Sequence, residues 1–277
     1  MPVRKPINNG LRYLRCLFHG SNVEKYIRQI GLDQYLSGPY WSLVHRFSNN
    51  TQTHTIVDQS VEFRTESFTE FMRFQNLNHE QPVIKNLLCS IDSDDVFYDI
   101  GANVGTYTCF VAPKIDRGQI VSFEPEPHNA MRLQDNLDLN DFDSQIIRVA
   151  LTDTNTTIDF ALSGNETGEG EHAISLTDGE DTIKVEAARG DSIIDQRNLE
   201  VPTVLKIDVE GAELSTLRGF KKTIHEHARL VYVEVHPEKL PEFGGTVSEV
   251  RAFLEGAGFD VAEIPQKRSE VFLRASK

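Results

Sequence analysis

The chain has 277 residues, 39% of them hydrophobic, with 42 Asp plus Glu against 28 Lys plus Arg and a net charge of −14. That length suits one large domain, or a domain with an extension, at roughly 100–200 residues per domain. The acidic balance argues against general affinity for nucleic acid or anionic lipid, because phosphate contacts need a basic surface.

The N-terminus, MPVRKPINNGLRYLRCLFHG, is basic but lacks a continuous apolar run. A signal peptide needs one of about 7–15 residues and a membrane span about 20. Leu11, Leu14, Leu17 and Phe18 share one helix face beside Arg12 and Arg15. Such a face more often packs on its own domain than lies on a membrane surface. Cys16, Cys89 and Cys109 are far apart and show no zinc or disulfide spacing, so a reducing, cytoplasmic setting is expected.

Helices are expected near Asn22–Ile30 and Pro39–Phe47, and His54–Glu66 alternates like a strand pair turning at Asp58–Ser60. Ser67–Asn76 and Glu80–Leu88 read as helices. From Val96 the pattern becomes regular. Strands at 96–100, 119–124, 145–151, 204–208 and 230–235 alternate with helices at 106–114, 127–139, 212–226 and 247–255. Strands at 259–264 and 271–275 close the chain. Buried strands alternating with helices indicate parallel βαβ units. Thr152–Gly190 breaks the pattern with two polar strand-like pieces, 157–162 and 182–187. The segment Gly164–Gly179 between them is either a solvated hairpin tip or a lid over a ligand.

In an open α/β sheet, ligands bind at the carboxyl ends of the strands, beside helix N-termini. VFYDIGANVGTYT, residues 96–108, places Asp99 at a strand end and Gly101 and Gly105 in the loop that follows. Glu124 ends the next strand, 19 residues past Gly105, where a carboxylate can hold a ribose diol. The loop lacks the closely spaced GxG pair of a dinucleotide fingerprint. Its D-x-G-x-N-x-G form favours S-adenosylmethionine over NAD.

LKIDVEGAELSTLRG, residues 205–219, puts Asp208 at another strand end, with Glu210 and Glu213 after it. An acid in a first helical turn stabilises the helix dipole by about 0.3–1 kcal/mol, and Glu213 reads in that structural way. In VYVEVHPE, residues 231–238, Glu234 and His236 share a face. Asp208, Glu210 and Glu234 offer hard oxygen ligands of the kind Mg²⁺ prefers. Nothing in the sequence sets their geometry, and no metal site is assigned from it.

Together YDIGANVGTYT (98–108), VSFEPEPHNAMRLQDNLDLN (121–140), LKIDVEGAELSTLRGF (205–220) and VEVHPE (233–238) resemble the FkbM family of S-adenosylmethionine-dependent methyltransferases. The resemblance covers about residues 80–275 and rests on the joint order and spacing of the motifs. It implies a class I methyltransferase domain over 80–277, Rossmann-like α/β, with a seven-stranded, mostly parallel sheet, an antiparallel last strand and helices on both faces. Residues 1–79 would be a helical and β-hairpin extension. It implies that Asp99, Gly101, Asn103 and Gly105 surround the methionine part of the cofactor and that Glu124 takes the ribose hydroxyls. Ala150 and Leu151, with Asp153 as a further candidate, would flank the adenine, and Asp208 would lie near the methyl donor or its amino group.

The expected reaction is O-methylation of a sugar hydroxyl in a glycan, glycolipid or natural product. His236 is the first candidate for the general base and Asp208 the second. The competing readings are a non-catalytic adenosyl-ligand-binding protein of the same fold and an NAD-dependent Rossmann oxidoreductase. The expected partners are the cofactor and a small-molecule or glycan acceptor, with no nucleic acid. The oligomeric state is not legible.

Overall fold

The computed structural model describes residue 13 and residues 33–75, 77–161, 173–174, 182–265 and 269–277. The helix expected at Asn22–Ile30, the Leu11–Phe18 face and most of Gly164–Gly179 lie outside these residues. Among the described residues no helix is long and apolar enough to cross a membrane.

The N-terminal part contains helix α1 (Asp33–Phe47), the hairpin β1 (Thr51–Ile56) and β2 (Gln59–Arg64), and helices α2 (Phe68–Gln75) and α3 (Gln81–Leu88). The alternating region follows as β3 (Val96–Ile100), α4 (Thr106–Val111), β4 (Gln119–Phe123), α5 (Pro127–Leu139) and β5 (Gln145–Ile147). Next come β6 (Ala150–Thr152), β7 (Thr156–Ala161), β8 (Ala173–Ile174), β9 (Thr182–Arg189) and α6 (Gly190–Arg197). The chain closes through β10 (Val204–Ile207), α7 (Glu213–Gly219), α8 (Lys221–Glu226), β11 (Leu230–Val235), α9 (Val247–Gly256), β12 (Asp260–Ile264) and β13 (Val271–Ser276).

Seven strands form the main sheet in the order β12-β13-β11-β10-β3-β4-β5. Only β13 runs against the others, pairing antiparallel with both β11 and β12. This is the Rossmann-like, mostly parallel seven-stranded α/β sheet that the resemblance implies, with helices on both faces.

The strands β3, β10 and β11 are buried along their whole length, so successive side chains feed two cores. Tyr98, Ile100, Leu205, Ile207, Val231 and Val233 face α6 to α9 through Ile193, Leu217, Ile224 and Leu254. Phe97, Val204, Leu230 and Tyr232 face the other way, onto Ile84 and Leu87 of α3, Phe110 of α4 and Leu133 of α5. Full burial of each such side chain contributes about 1.5–3 kcal/mol.

The hairpin joins this second core. Ile56, Val61, Phe63 and Phe74 belong to it, and Phe63 stacks on Phe74 with ring centroids 4.3 Å apart. Helix α5 reaches the outer edge of β2 through two asparagines. Asn140 Oδ1 accepts from Glu62 N at 2.8 Å and its Nδ2 donates to Glu62 O at 2.7 Å. Asn136 Oδ1 accepts from Arg64 N at 2.9 Å, and its Nδ2 donates to Val104 O at 2.8 Å.

Three elements differ from the sequence expectation. The apolar run 145–151 is two strands, not one: β5 ends the main sheet, and after Arg148–Val149 the chain joins a second sheet as β6. That sheet has the order β6-β9-β7-β8, and the two polar pieces expected as strands are its antiparallel pair β7–β9. The helix expected over 212–226 is broken at Phe220, which leaves the helical region with φ −101° and ψ 21°. Gly219, just before it, packs so closely on β6 that a Cβ there would lie 2.1 Å from Thr152 O. Finally, α1 begins at Asp33 and carries Pro39 inside it rather than starting there.

Candidate active site

A cavity of about 500 Å³ opens at the carboxyl ends of β3, β4, β10 and β11. One wall is the loop after β3. Gly101, Asn103 and Gly105 have φ of 73°, 50° and 85°, so three of five successive residues are left-handed. Gly101 N and Ala102 N both donate to Phe123 O at 3.0 Å, which folds the loop across the end of β4. Glycine is required at 101 on two counts: its φ, and a Cβ that would lie 1.8 Å from Asp208 O. The bare Cα thereby lets the end of β10 pack directly against the loop.

Glu124, 5% exposed, fastens that loop. Its carboxylate accepts from Asn103 N at 2.8 Å and Glu126 N at 2.9 Å. Burial pushes its pKa up to about 7, against the lowering effect of those two amides. Glu126 in turn caps α5, accepting from His128 N at 3.0 Å and Asn129 N at 2.6 Å.

The opposite wall carries a dense polar cluster. His236 lies just past β11 and is 8% exposed. Its Nδ1 is 2.7 Å from Oε1 of Glu213, a fully buried carboxylate. A carboxylate accepts, so this ring nitrogen carries the hydrogen and Nε2 is turned to the cavity. Nε2 lies 3.3 Å from Glu210 Oε2 and 3.9 Å from Asp208 Oδ1. Burial alone would lower the His236 pKa, but the hydrogen bond to Glu213 and the charges of Asp208 and Glu210 outweigh it and raise it to about 9. A histidine held as a cation at neutral pH is not a base until it gives up that proton.

Glu210 adopts a left-handed conformation, φ 53°, and also accepts from Lys239 Nζ at 2.8 Å. Extending the β10–β11 register by one residue sets Asp208 opposite Glu234, on the face that carries Lys206. Glu234 is 7% exposed, and burial together with Asp208 and Glu80 raises its pKa to about 8.

Beneath this cluster lies Lys206, 2% exposed within the β10 strand. Its Nζ donates to Gly101 O at 3.2 Å and pairs with Asp99 Oδ1 at 3.3 Å and Asp208 Oδ2 at 3.4 Å. Burial disfavours its charge, but the two aspartates more than compensate and raise its pKa. Lys206 and Asp208 therefore tie the loop wall to the acidic wall.

The expected residues fall into two groups. Gly101, Asn103, Glu124, Ala150, Leu151, Asp208 and His236 line the cavity. Asp99 and Gly105 do not. Asp99 is fully buried behind the loop and accepts from Thr108 N at 3.0 Å and Thr108 Oγ1 at 2.6 Å. Gly105 is the N-cap of α4, and a Cβ on it would strike Leu133 at 2.2 Å. Asp153 is also outside the lining, which instead takes Phe160 from β7 beside Ala150 and Leu151. Arg73 of α2 and Glu80 show that the N-terminal part contributes to the wall.

Sequence reasoning passed over Lys206 and treated Glu213 as a helix-dipole residue. A lysine inside a strand of buried apolar residues was a signal for the first, since lysines are almost never fully buried unless paired. Glu213 lies 23 residues from His236, and no local spacing links them.

The methyltransferase FkbM domain model matches residues 99–261. The hexuronic acid methyltransferase AglP of Haloferax volcanii is 33% identical over 177 residues, which span 64% of this chain and 71% of AglP. The 2-O-methyltransferase NoeI of Sinorhizobium fredii is 29% identical over 165 residues, 54% of this chain and 66% of NoeI. Among solved structures, the methyltransferase FkbM of Methylobacillus flagellatus aligns with a TM-score of 0.49 at 15% identity. That alignment covers 88% of this chain and 60% of the other.

Proposed function

The chain belongs to the FkbM methyltransferase family, and from that premise we propose that it uses S-adenosylmethionine to O-methylate a sugar hydroxyl. One observation carries the reading: a single cavity has the Gly101–Asn103 loop and Glu124 on one wall and the Asp208–His236 cluster on the other. The loop wall fits the cofactor. The Gly101–Asn103 backbone on the cavity wall would take the methionine part, the Glu124 carboxylate has lone pairs left for a ribose diol, and Ala150, Leu151 and Phe160 offer an apolar slot for a purine. Asp99 and Gly105 serve the same site from behind, by holding the loop and the start of α4.

When bound, the cofactor supplies a methyl group already activated by a positively charged sulfur. The protein then has to align the acceptor oxygen and keep water out, and positioning of that kind supplies roughly 7–11 kcal/mol. Asp208 and His236 are the residues that meet the acceptor hydroxyl, with Glu213 setting the orientation of the imidazole. A sugar acceptor is supported by the hydrogen-bonding character of this wall. Two relatives point the same way, one a hexuronic acid methyltransferase and the other a 2-O-methyltransferase.

The test has two parts. Thermal melting with S-adenosylmethionine, S-adenosylhomocysteine or NAD should show stabilisation by the two adenosyl compounds, about 2.7 kcal/mol at 100 times the dissociation constant. Methyl transfer to uronic and neutral sugar acceptors should then be abolished or strongly cut in His236→Gln while S-adenosylhomocysteine binding stays near that of the parent. Full turnover in His236→Gln would remove His236 from the site's chemistry, and stabilisation by NAD alone would overturn the cofactor assignment.

A further inference from the structure

We propose that Asp208, Glu210 and His236 form a binding site for one divalent cation of the Mg²⁺ or Mn²⁺ type, and that the acceptor hydroxyl is activated on that ion. The proposal rests on the acceptor reading above and deepens it. It stands on geometry. One donor atom from each of the three residues lies within 4.8 Å of the others, and His236 Nε2 is 3.3 Å from Glu210 Oε2 and 3.9 Å from Asp208 Oδ1. Ligands bound at about 2.1 Å to one octahedral ion stand roughly 3 Å apart when adjacent and about 4.2 Å when opposite. The cluster is therefore already near the spacing an ion would impose, without backbone movement.

Two further observations point to a cation. Glu234 is more than nine-tenths buried, lines the same cavity beside Asp208, and its side chain has no hydrogen bond or ion pair among the described residues. A buried acid side chain without a hydrogen-bond partner is costly, and a cation beside it would offset that cost. The second is the orientation of His236. Its Nδ1 is engaged by the buried Glu213, which leaves Nε2, the nitrogen facing Glu210 and Asp208, as the ligand atom. Metal-bound histidines are ordinarily held in this way by a carboxylate on the far nitrogen. Lys239 Nζ donates to Oε2 of Glu210 at 2.8 Å, and a carboxylate has further lone pairs with which to meet an ion as well.

Two carboxylates and one imidazole, with further coordination positions open to the cavity, suit Mg²⁺ or Mn²⁺ better than a thiolate-seeking metal. The acceptor hydroxyl would take one open position. The ion acidifies it, the proton leaves to solvent, and the oxygen forms its bond to the methyl carbon as the carbon–sulfur bond breaks toward sulfur.

The test uses the full chain stripped with EDTA and titrated with Mn²⁺, with and without S-adenosylhomocysteine. Free Mn²⁺ is read by its electron paramagnetic resonance signal, and Mg²⁺ serves as competitor. One saturable Mn²⁺ per chain is expected. Asp208→Asn, Glu210→Gln and His236→Gln should each weaken it by roughly tenfold or more, and Glu213→Gln by about 10–100-fold through loss of imidazole orientation. Circular dichroism of each variant checks folding, and Glu242→Gln, exposed and outside the cavity lining, should leave binding unchanged. Absence of saturable Mn²⁺ binding in both conditions overturns the proposal, as does binding that survives all three ligand substitutions in folded protein. The same samples report S-adenosylhomocysteine binding by melting. Cofactor binding without Mn²⁺ therefore removes the ion alone, and Mn²⁺ without cofactor removes the cofactor reading alone.

Discussion

Replacing Lys206 by Met tests how the two walls of the cavity are joined. Met keeps most of the volume and the unbranched shape, so little of the effect comes from an empty space. What is lost is the charge facing Asp99 at 3.3 Å and the hydrogen bond to Gly101 O at 3.2 Å. Asp99 is fully buried and cannot exchange the lost partner for water. Asp208, whose side chain is 23% exposed, can, so its share is small. Removing one member of a buried pair costs about 3–5 kcal/mol. At about 2–4 °C per kcal/mol for a domain of this order of size, Lys206→Met should melt roughly 6–20 °C below the parent. The double variant Lys206→Met/Asp99→Asn should recover a large part of that loss, because the stranded charge is gone and Asn can still accept from Thr108. Calorimetry or a circular dichroism melt at neutral pH decides it. A single variant within about 2 °C of the parent, or a double variant no more stable than the single, would refute the argument.

Glu124 carries a pH signature. Its pKa in the free protein is raised to about 7 by burial, and ribose hydroxyls donate to the ionised form, so cofactor affinity should fall as pH drops through 7. Titrations of S-adenosylhomocysteine between pH 5.5 and 8 should show close to tenfold weakening per pH unit below about 7, lost in Glu124→Gln. Gly101→Ala combines a left-handed φ, about 1–2 kcal/mol, with a backbone clash adding about 1–3 kcal/mol. A urea midpoint unchanged from the parent would show that the loop is softer than described. Asn136→Ala leaves Arg64 N and Val104 O without their partner, at about 1–3 kcal/mol for a stranded buried group. Hydrogen exchange at the Arg64 amide should accelerate, and unaltered protection there would contradict the contact.

The main sheet was readable because β3, β10 and β11 are short, mostly apolar runs with one charged residue each, Asp99, Lys206 and Glu234, and a run of that kind reads as an interior strand or a short buried helix. Glu124 and Asp208 were readable for the same reason: an acid that ends such a run has one place to be. The split of 145–151 was not readable. Gln145–Leu151 is continuously strand-like, and the break comes from where the main sheet stops and β6 finds β9 as its partner. Nor could the break at Phe220 be seen, since it follows from packing Gly219 against Thr152, far away in sequence. In the site, individual residues were legible and their pairings were not. Glu213 looked like a helix-end acid, and its role depends on a histidine brought by another strand.

The asparagines of α5 have a consequence for how the molecule behaves in a crowded solution. An outer strand with open backbone groups is a template on which a second molecule can add a strand and begin to aggregate. On β2 the amide and carbonyl of Glu62 and the amide of Arg64 are already taken by Asn140 and Asn136. Side-chain amides here stand in for a neighbouring strand, so the β2 edge of the hairpin is closed to self-association without being covered by another sheet element.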